Sequence, residues 1–360
     1  MDLRTAVREE VVTKAFDDFY GNEFVIRTLA AMLSRQRIPQ TLLFSGIEGA
    51  GKATLVRRFA AALLGDAGKI ERDDLSLPAN QTTIAERQKW TSEQRNEDPL
   101  FFGSHPDFLT FCPDGPLQQI SIEQMRLLKD RAQYQPLSGS RRVFLIDRID
   151  RANEHAANSL LKTLEEPPAH LILILTALNP YDLLPTIRSR SILFHFSPLS
   201  NSQMRTFVER RRLPDPDRRV ALSGGSPGLA ASMDLDEHDQ RRTAMLTLLK
   251  VAAGRAPFPE WAKFSEALAA RKQDKLDMLL DMLYHLLEDI LLLSQGTGEI
   301  RNFDLRHELE PLASRLSPAW LRAAVARCDE LSSLVRRNIQ KSIALDALAI
   351  SFRNLALQKP

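Results

Sequence analysis

Gly46-Ile47-Glu48-Gly49-Ala50-Gly51-Lys52-Ala53 (GIEGAGKA) is the stretch on which the reading of this chain turns. A phosphate-binding loop runs Gly, four residues, Gly-Lys, then Ser or Thr, and Gly46, Gly51 and Lys52 stand in register with it, with Gly49 inside the loop. The context agrees. An apolar run at residues 41–45 leads into the glycines, and residues 53–64 (ATLVRRFAAALL) have a helical pattern. A strand, a glycine loop and a helix N-terminus in that order present backbone N–H groups to an anion. The last position breaks the pattern. Ala53 stands where the hydroxyl that ligates Mg²⁺ belongs, and a methyl group is no oxygen ligand. Thr54 does not replace it, because one helical step turns its side chain away by about 100°. Gly46, Gly49, Gly51, Lys52, Ala53 and Thr54 are therefore the candidate contacts of a degenerate nucleotide loop, and the sequence leaves open whether ATP still binds.

Working outward, short runs rich in apolar, β-branched or aromatic residues occur at 41–45, 108–112, 143–147, 171–176 and 192–196. They alternate with helical patterns, which predicts an α/β domain with a parallel sheet covered on both faces. Residues 65–107 are polar, carry Pro78 and Pro99, and read as a partly irregular insertion with one helical pattern at 83–95. Beyond residue 196, a helix at 200–212, the turn-rich Gly224-Gly225-Ser226-Pro227-Gly228 and short helical stretches make a compact second unit. From about residue 241 the pattern is helical throughout. Leu276, Leu279, Leu283, Leu286 and Ile290, broadened by Leu280 and Leu287, line one side of a long helix destined for a helical bundle. The divisions expected are 1–198, 199–240 and 241–360.

The run RRVFLIDRID at 141–150 is an apolar strand ending in an acid. Asp147 has two readings: the acid of the second nucleotide motif, or a plain strand-end or helix-capping acid. In active ATPases of this kind a Glu follows and polarises the attacking water, but here Arg148 follows, and a cation accepts no proton. Residues 153–166 form a helix whose core face is Ala157, Leu160, Leu161 and Leu164, stopped by Pro167-Pro168. Glu165 and Glu166 diverge as helical neighbours and read as solvated charges. The buried run at 171–176 carries Thr176 and then Asn179 toward the phosphate loop, and Arg188 and Arg190 precede the last strand as a surface pair.

Composition sets the bounds. A chain of 360 residues buries a sizeable core and suggests two or three domains. Lys and Arg number 48 against 46 Asp and Glu, a net charge of +2, which argues against bulk electrostatic attachment to nucleic acid. Cys112 and Cys328 are the only cysteines, too few for a four-cysteine zinc site or a disulfide framework. Residues 1–10 (MDLRTAVREE) lack the apolar core of a signal peptide, and no apolar run reaches the ~20 residues of a membrane span. A cytoplasmic protein without a membrane partner is expected.

LLKTLEEPP at 160–168, followed by LLPTIRSR at 183–190 downstream of a phosphate loop, resembles the clamp-loader branch of the AAA+ ATPases. The opening at 16–21 and Leu42-Leu43-Phe44-Ser45-Gly46 fit the same family, so the resemblance spans residues 16–196. It implies a RecA-like ATPase domain, a small helical lid and a helical collar. It also implies a five-membered ring with gamma, tau and delta subunits of DNA polymerase III, acting on the sliding clamp and primed DNA. Carried over, Arg190 in Ser189-Arg190-Ser191 is the arginine that reaches a neighbour's ATP site, with Ser191 replacing the family's Cys. Thr176 falls at the first sensor position. Relatives often carry a four-cysteine zinc module in the insertion, so no zinc is expected here, and no cofactor is required. Gly225-Ser226-Pro227-Gly228-Leu229 lacks the arginine of the second sensor. Ala53, Arg148 and this missing arginine together suit an arginine-donating subunit without ATPase activity of its own. The competing readings are the ATP-hydrolysing motor subunit and a small-molecule P-loop kinase. The motor would need a loop hydroxyl, an acid after Asp147 and usually a cysteine cluster; the kinase would not be expected to carry the LEEPP and IRSR motifs.

Overall fold

Leu171–Ala177 (LILILTA, β5) is buried along its whole length and forms the middle of a six-stranded sheet. The order is β2-β3-β4-β5-β1-β6, with β1 Thr41–Gly46, β2 Phe102–His105, β3 Phe108–Phe111, β4 Arg142–Ile146 and β6 Ile192–Phe196. All pairings are parallel except β2 on β3. This computed structural model describes residues 15–271, 274–334 and 340–357. The stretch 1–10, read as no signal peptide, lies outside them.

Strand period two sends alternate side chains to opposite faces, and the two faces have separate cores. Leu42, Phe44, Val143, Leu145, Ile172 and Ile174 meet helices α1 (Glu23–Arg35) and α2 (Lys52–Leu64) through Leu29, Leu55, Val56 and Phe59. Leu43, Phe144, Ile146, Leu173 and Leu175 meet the other side. Each such side chain, nearly all fully buried, contributes about 1.5–3 kcal/mol.

The segment read as partly irregular, 65–107, holds helices α3 (Pro78–Arg87) and α4 (Ser92–Glu97) and the edge strand β2. Its helical pattern at 83–95 is two helices with a break between them, where Thr91 starts α4 with a capping box. Ion pairs order it: the buried Arg57 of α2 holds Glu71 and Asp74, and Arg87 holds Asp114 and Asp98.

The remaining helices of the sheet-bearing part are α5 (Ile122–Ala132), α6 (Glu154–Glu165) and α7 (Pro185–Ser189). Then come α8 (Asn201–Arg210), α9 (Pro216–Leu222) and α10 (Pro227–Ser232). On α6, Ala157, Leu160 and Leu164 are buried as the pattern requires, while Leu161 is only partly so. The described residues form two compact units that divide between Ala231 and Ser232, inside the stretch read as a lid.

The second unit is helical: α11 (Leu235–Ala252), α12 (Phe258–Ala270), α13 (Leu276–Gln295), α14 (Arg306–Ala313), α15 (Pro318–Leu334) and α16 (Lys341–Leu357). The leucine stripe of α13 is buried in full, around a core that includes Trp261, Trp320 and Phe352. No helix of the described residues is long and apolar enough to cross a membrane.

His285 of α13 gives this unit a pH signature. Burial pushes its pKa down to about 4, helped by the positive charges of Arg301 and His238. The unfolded chain then takes up the proton first, near 6.5, so stability is intact above that value and falls until the folded imidazole titrates. About 2 kcal/mol should be lost between pH 7 and pH 5. Urea unfolding at the two pH values checks this, and His285→Gln should flatten the loss. An unchanged profile in the variant would reject the assignment.

Candidate functional site

Three strand ends build the site. β1 enters the glycine loop, β4 ends before Asp147 and β5 carries Thr176, all on the carboxyl side of the parallel sheet, where open α/β sheets bind ligands. β5 lies between β1 and β4, so register alone puts Thr176 against both the loop strand and the acid. The Thr176 hydroxyl donates to Asp147 Oδ1 at 2.6 Å and accepts the Arg148 N–H at 2.9 Å. Asn179 instead caps the short turn Pro180–Asp182, while the Leu178 carbonyl accepts the Gly46 N–H at 3.2 Å.

The loop lysine is turned inward. Lys52 Nζ donates to the carbonyls of Gly46 at 2.6 Å and Ile47 at 2.7 Å, and the side chain is buried. Burial lowers its pKa, while Asp147, Glu48 and Asp150 pull the other way. Asp147 keeps an exposed edge, yet enclosure of its carboxyl raises its pKa against the opposing effects of Thr176, Lys52 and Arg148. Arg148 adopts a left-handed backbone, φ 58°, and its guanidinium lies 3.5 Å from Glu48 of the loop. A cation thus follows Asp147 and is tied to the loop by an ion pair.

The lid turn rests on the loop tip. The Gly228 N–H donates to the Gly49 carbonyl at 2.9 Å, and Ser226 Oγ donates to the Glu48 carbonyl at 2.8 Å. Both glycines are required by this approach. Gly49 has φ +71°, and a Cβ there would fall 2.3 Å from Ser226 Oγ; one on Gly228 would fall 2.8 Å from Gly49 Cα. Gly228 is therefore a backbone contact to the loop. The contact itself was not read from the sequence, since Ser226 and Glu48 are 178 residues apart.

The helix N-terminus at Gly51-Lys52 has no side-chain cap, so its N–H groups suit a phosphate. Around it, Ala53 offers no side-chain oxygen, Lys52 is engaged by the loop's own carbonyls, and Arg148 follows Asp147. Among the described residues, no three His, Cys, Asp or Glu side chains gather as a metal site.

Arg190 lies elsewhere. It caps α7, two residues before β6, at the amino end of the sheet, while Gly46 is at the carboxyl end. The strand length between them puts the two on the order of 15 Å apart. Its guanidinium donates to Glu165 Oε1 at 2.9 Å and the Thr186 carbonyl at 3.2 Å. Glu165, read as a solvated charge, is thus the partner of Arg190; the two are distant in sequence but adjacent through the packing of α6 on α7. Arg188 lies over the exposed ring of Tyr181, 5.0 Å from its centre.

Residues 21–200 match the family model described as DNA polymerase III, delta subunit, and residues 236–352 match the model of its C-terminal part. The chain belongs to this family. Subunit delta' of DNA polymerase III from Escherichia coli K12 is 31% identical over 224 residues, which cover 61% of this chain and 65% of that protein. Subunit tau of the same enzyme from Salmonella typhimurium is 32% identical over 196 residues, 54% of this chain and 27% of that one. The matched part therefore spans less than two thirds of these relatives. Among solved structures, a gamma subunit-related protein of Thermotoga maritima superposes with a TM-score of 0.42 at 17% identity, covering 91% of this chain and 99% of that one. The RuvB branch migration motor of that organism gives 0.42 at 18%, covering 86% and 89%.

Proposed function

We propose that this chain is the delta-prime-type member of a DNA polymerase III clamp loader: a subunit that turns over no ATP itself and lends Arg190 to the ATP site of a neighbour. The observation that carries the reading is the placement of Arg190 at the sheet end opposite its own phosphate loop. An arginine whose backbone lies at the other end of the strand, on the order of 15 Å from its own loop, suits a phosphate presented by an adjoining subunit better than one in that loop. The loop itself supports the same reading through Ala53, the inward Lys52 and Arg148. Partners then include gamma or tau and delta subunits, with the sliding clamp and primed DNA met through the assembly, and the second helical unit serving as collar.

The motor-subunit reading draws on the tau relatives, whose identity matches that of delta'. Overall identity does not separate the two; Ala53 and Arg148 support the first. The purified chain, given ATP and Mg²⁺, should release phosphate no faster than a blank, and Ala53→Ser alone should not create activity while Arg148 holds the acid's place. Turnover that disappears in Lys52→Ala would reverse the assignment in favour of the motor.

A further inference from the structure

We infer that Glu165 is a positioning residue for Arg190, fixing the direction in which the guanidinium is offered to a neighbouring subunit. This deepens the proposed function and rests on the arginine being donated in trans. Glu165 is the last residue of α6, and Pro167-Pro168 end that helix beyond it. Arg190 stands at the end of α7. The two helices are locked by one core, in which Leu160 and Leu164 of α6 pack with Leu183 and Ile187. The ion pair therefore joins two elements already fixed by apolar packing, and it links the LEEPP motif to the IRSR motif in a single contact.

The donors are divided in a way that suits delivery. Nη2 meets Glu165 at 2.9 Å, while Nη1 meets the Thr186 carbonyl at 3.2 Å and Ser189 Oγ at 3.5 Å. The contacts formed within the described residues run from Nη1 and Nη2, so Nε–H is the donor left for an incoming oxyanion. The carboxyl end of α6 adds a negative dipole beside the cation. Both side chains are partly exposed, 35% and 49%, so the pair adds little to folding and acts mainly on orientation.

The test uses the full chain reconstituted with the ATP-hydrolysing subunits, reading steady-state ATPase in the presence of clamp and primed DNA. Glu165→Ala should lower kcat about two- to fivefold, the range of an exposed ion pair, and leave KM for ATP unchanged. Glu165→Gln keeps an acceptor oxygen on the same stem and should retain most of the rate. In an Arg190→Ala background, Glu165→Ala should add nothing. A normal or raised kcat in Glu165→Ala, or an equal loss with and without Arg190, would overturn the positioning role while leaving the donated arginine in place. Loss in neither Arg190→Ala nor Glu165→Ala would remove the trans arginine itself. The unfolding midpoint of the isolated Glu165→Ala chain should move by no more than about 4 °C, which separates orientation from fold.

Discussion

Arg190→Ala should leave folding and ring assembly intact while sharply lowering the ATPase and clamp-loading rates of the reconstituted complex. A guanidinium supplied in trans stabilises charge on the transferring phosphoryl group, and removing one costs about a thousandfold or more at the site it serves. A ring with several ATP sites dilutes this, because only the site bordering this subunit loses its arginine. The bulk ATPase should therefore drop by that site's share, whereas clamp loading, which needs the sites to act together, should fall further. Arg190→Lys should recover little, since an ammonium lacks the planar fork that meets two phosphate oxygens at once. The fold predicts that the variant is well behaved. Arg190 is exposed, its backbone N–H bonds to Ile187 O without its side chain, and its ion pair is partly solvated. A mutant complex that loads clamps at the normal rate would move the role to Arg188, held nearby over Tyr181, or end it.

How much of this was legible in the sequence depended on whether the signal was local. Five strands were readable because runs such as LILILTA leave no other way to bury consecutive apolar side chains. The loop was readable from its spacing, and the α13 leucine stripe from its period. β2 was not, because Phe-Gly-Ser-His carries no apolar alternation and becomes a strand only by pairing with β3. The contact of Gly228 with Gly49 joins residues that no periodicity relates. Glu165 is solvated as read, and tertiary packing also gives it Arg190, which lies 25 positions on. The insertion was hard to read for a related reason: PANQTTIAER is mostly polar, and its order comes from charges reaching across 27 positions.

That dependence makes Arg87 the side chain whose loss should cost the first unit most. Arg87 and Asp114 are both nearly buried, with side chains 5% and 6% exposed. Nε and Nη2 of Arg87 meet one Asp114 oxygen at 3.1 and 2.8 Å, while Asp98 takes the outer face through its carbonyl and carboxylate. The guanidinium also lies 4.3 Å from the centre of the Trp90 ring. One residue thus ties α3, the end of α4 and the loop after β3 together, in a segment for which we propose that no zinc is needed. Arg87→Ala strands the Asp114 carboxylate in a dry setting, a loss of about 3–5 kcal/mol. For a unit of this size that lowers the unfolding midpoint by on the order of 10 °C. Arg87→Lys should recover only part, because one ammonium does not span Asp114 and the Asp98 carbonyl together. Replacing both partners by apolar residues, Arg87→Met with Asp114→Leu, should restore much of the stability, since neither charge is then left alone. Chelation with EDTA should leave the wild-type midpoint where it is. A loss under about 1 kcal/mol in Arg87→Ala would mean that the insertion is anchored chiefly through Arg57 and its two carboxylates, and that Asp114 finds water when its partner is gone.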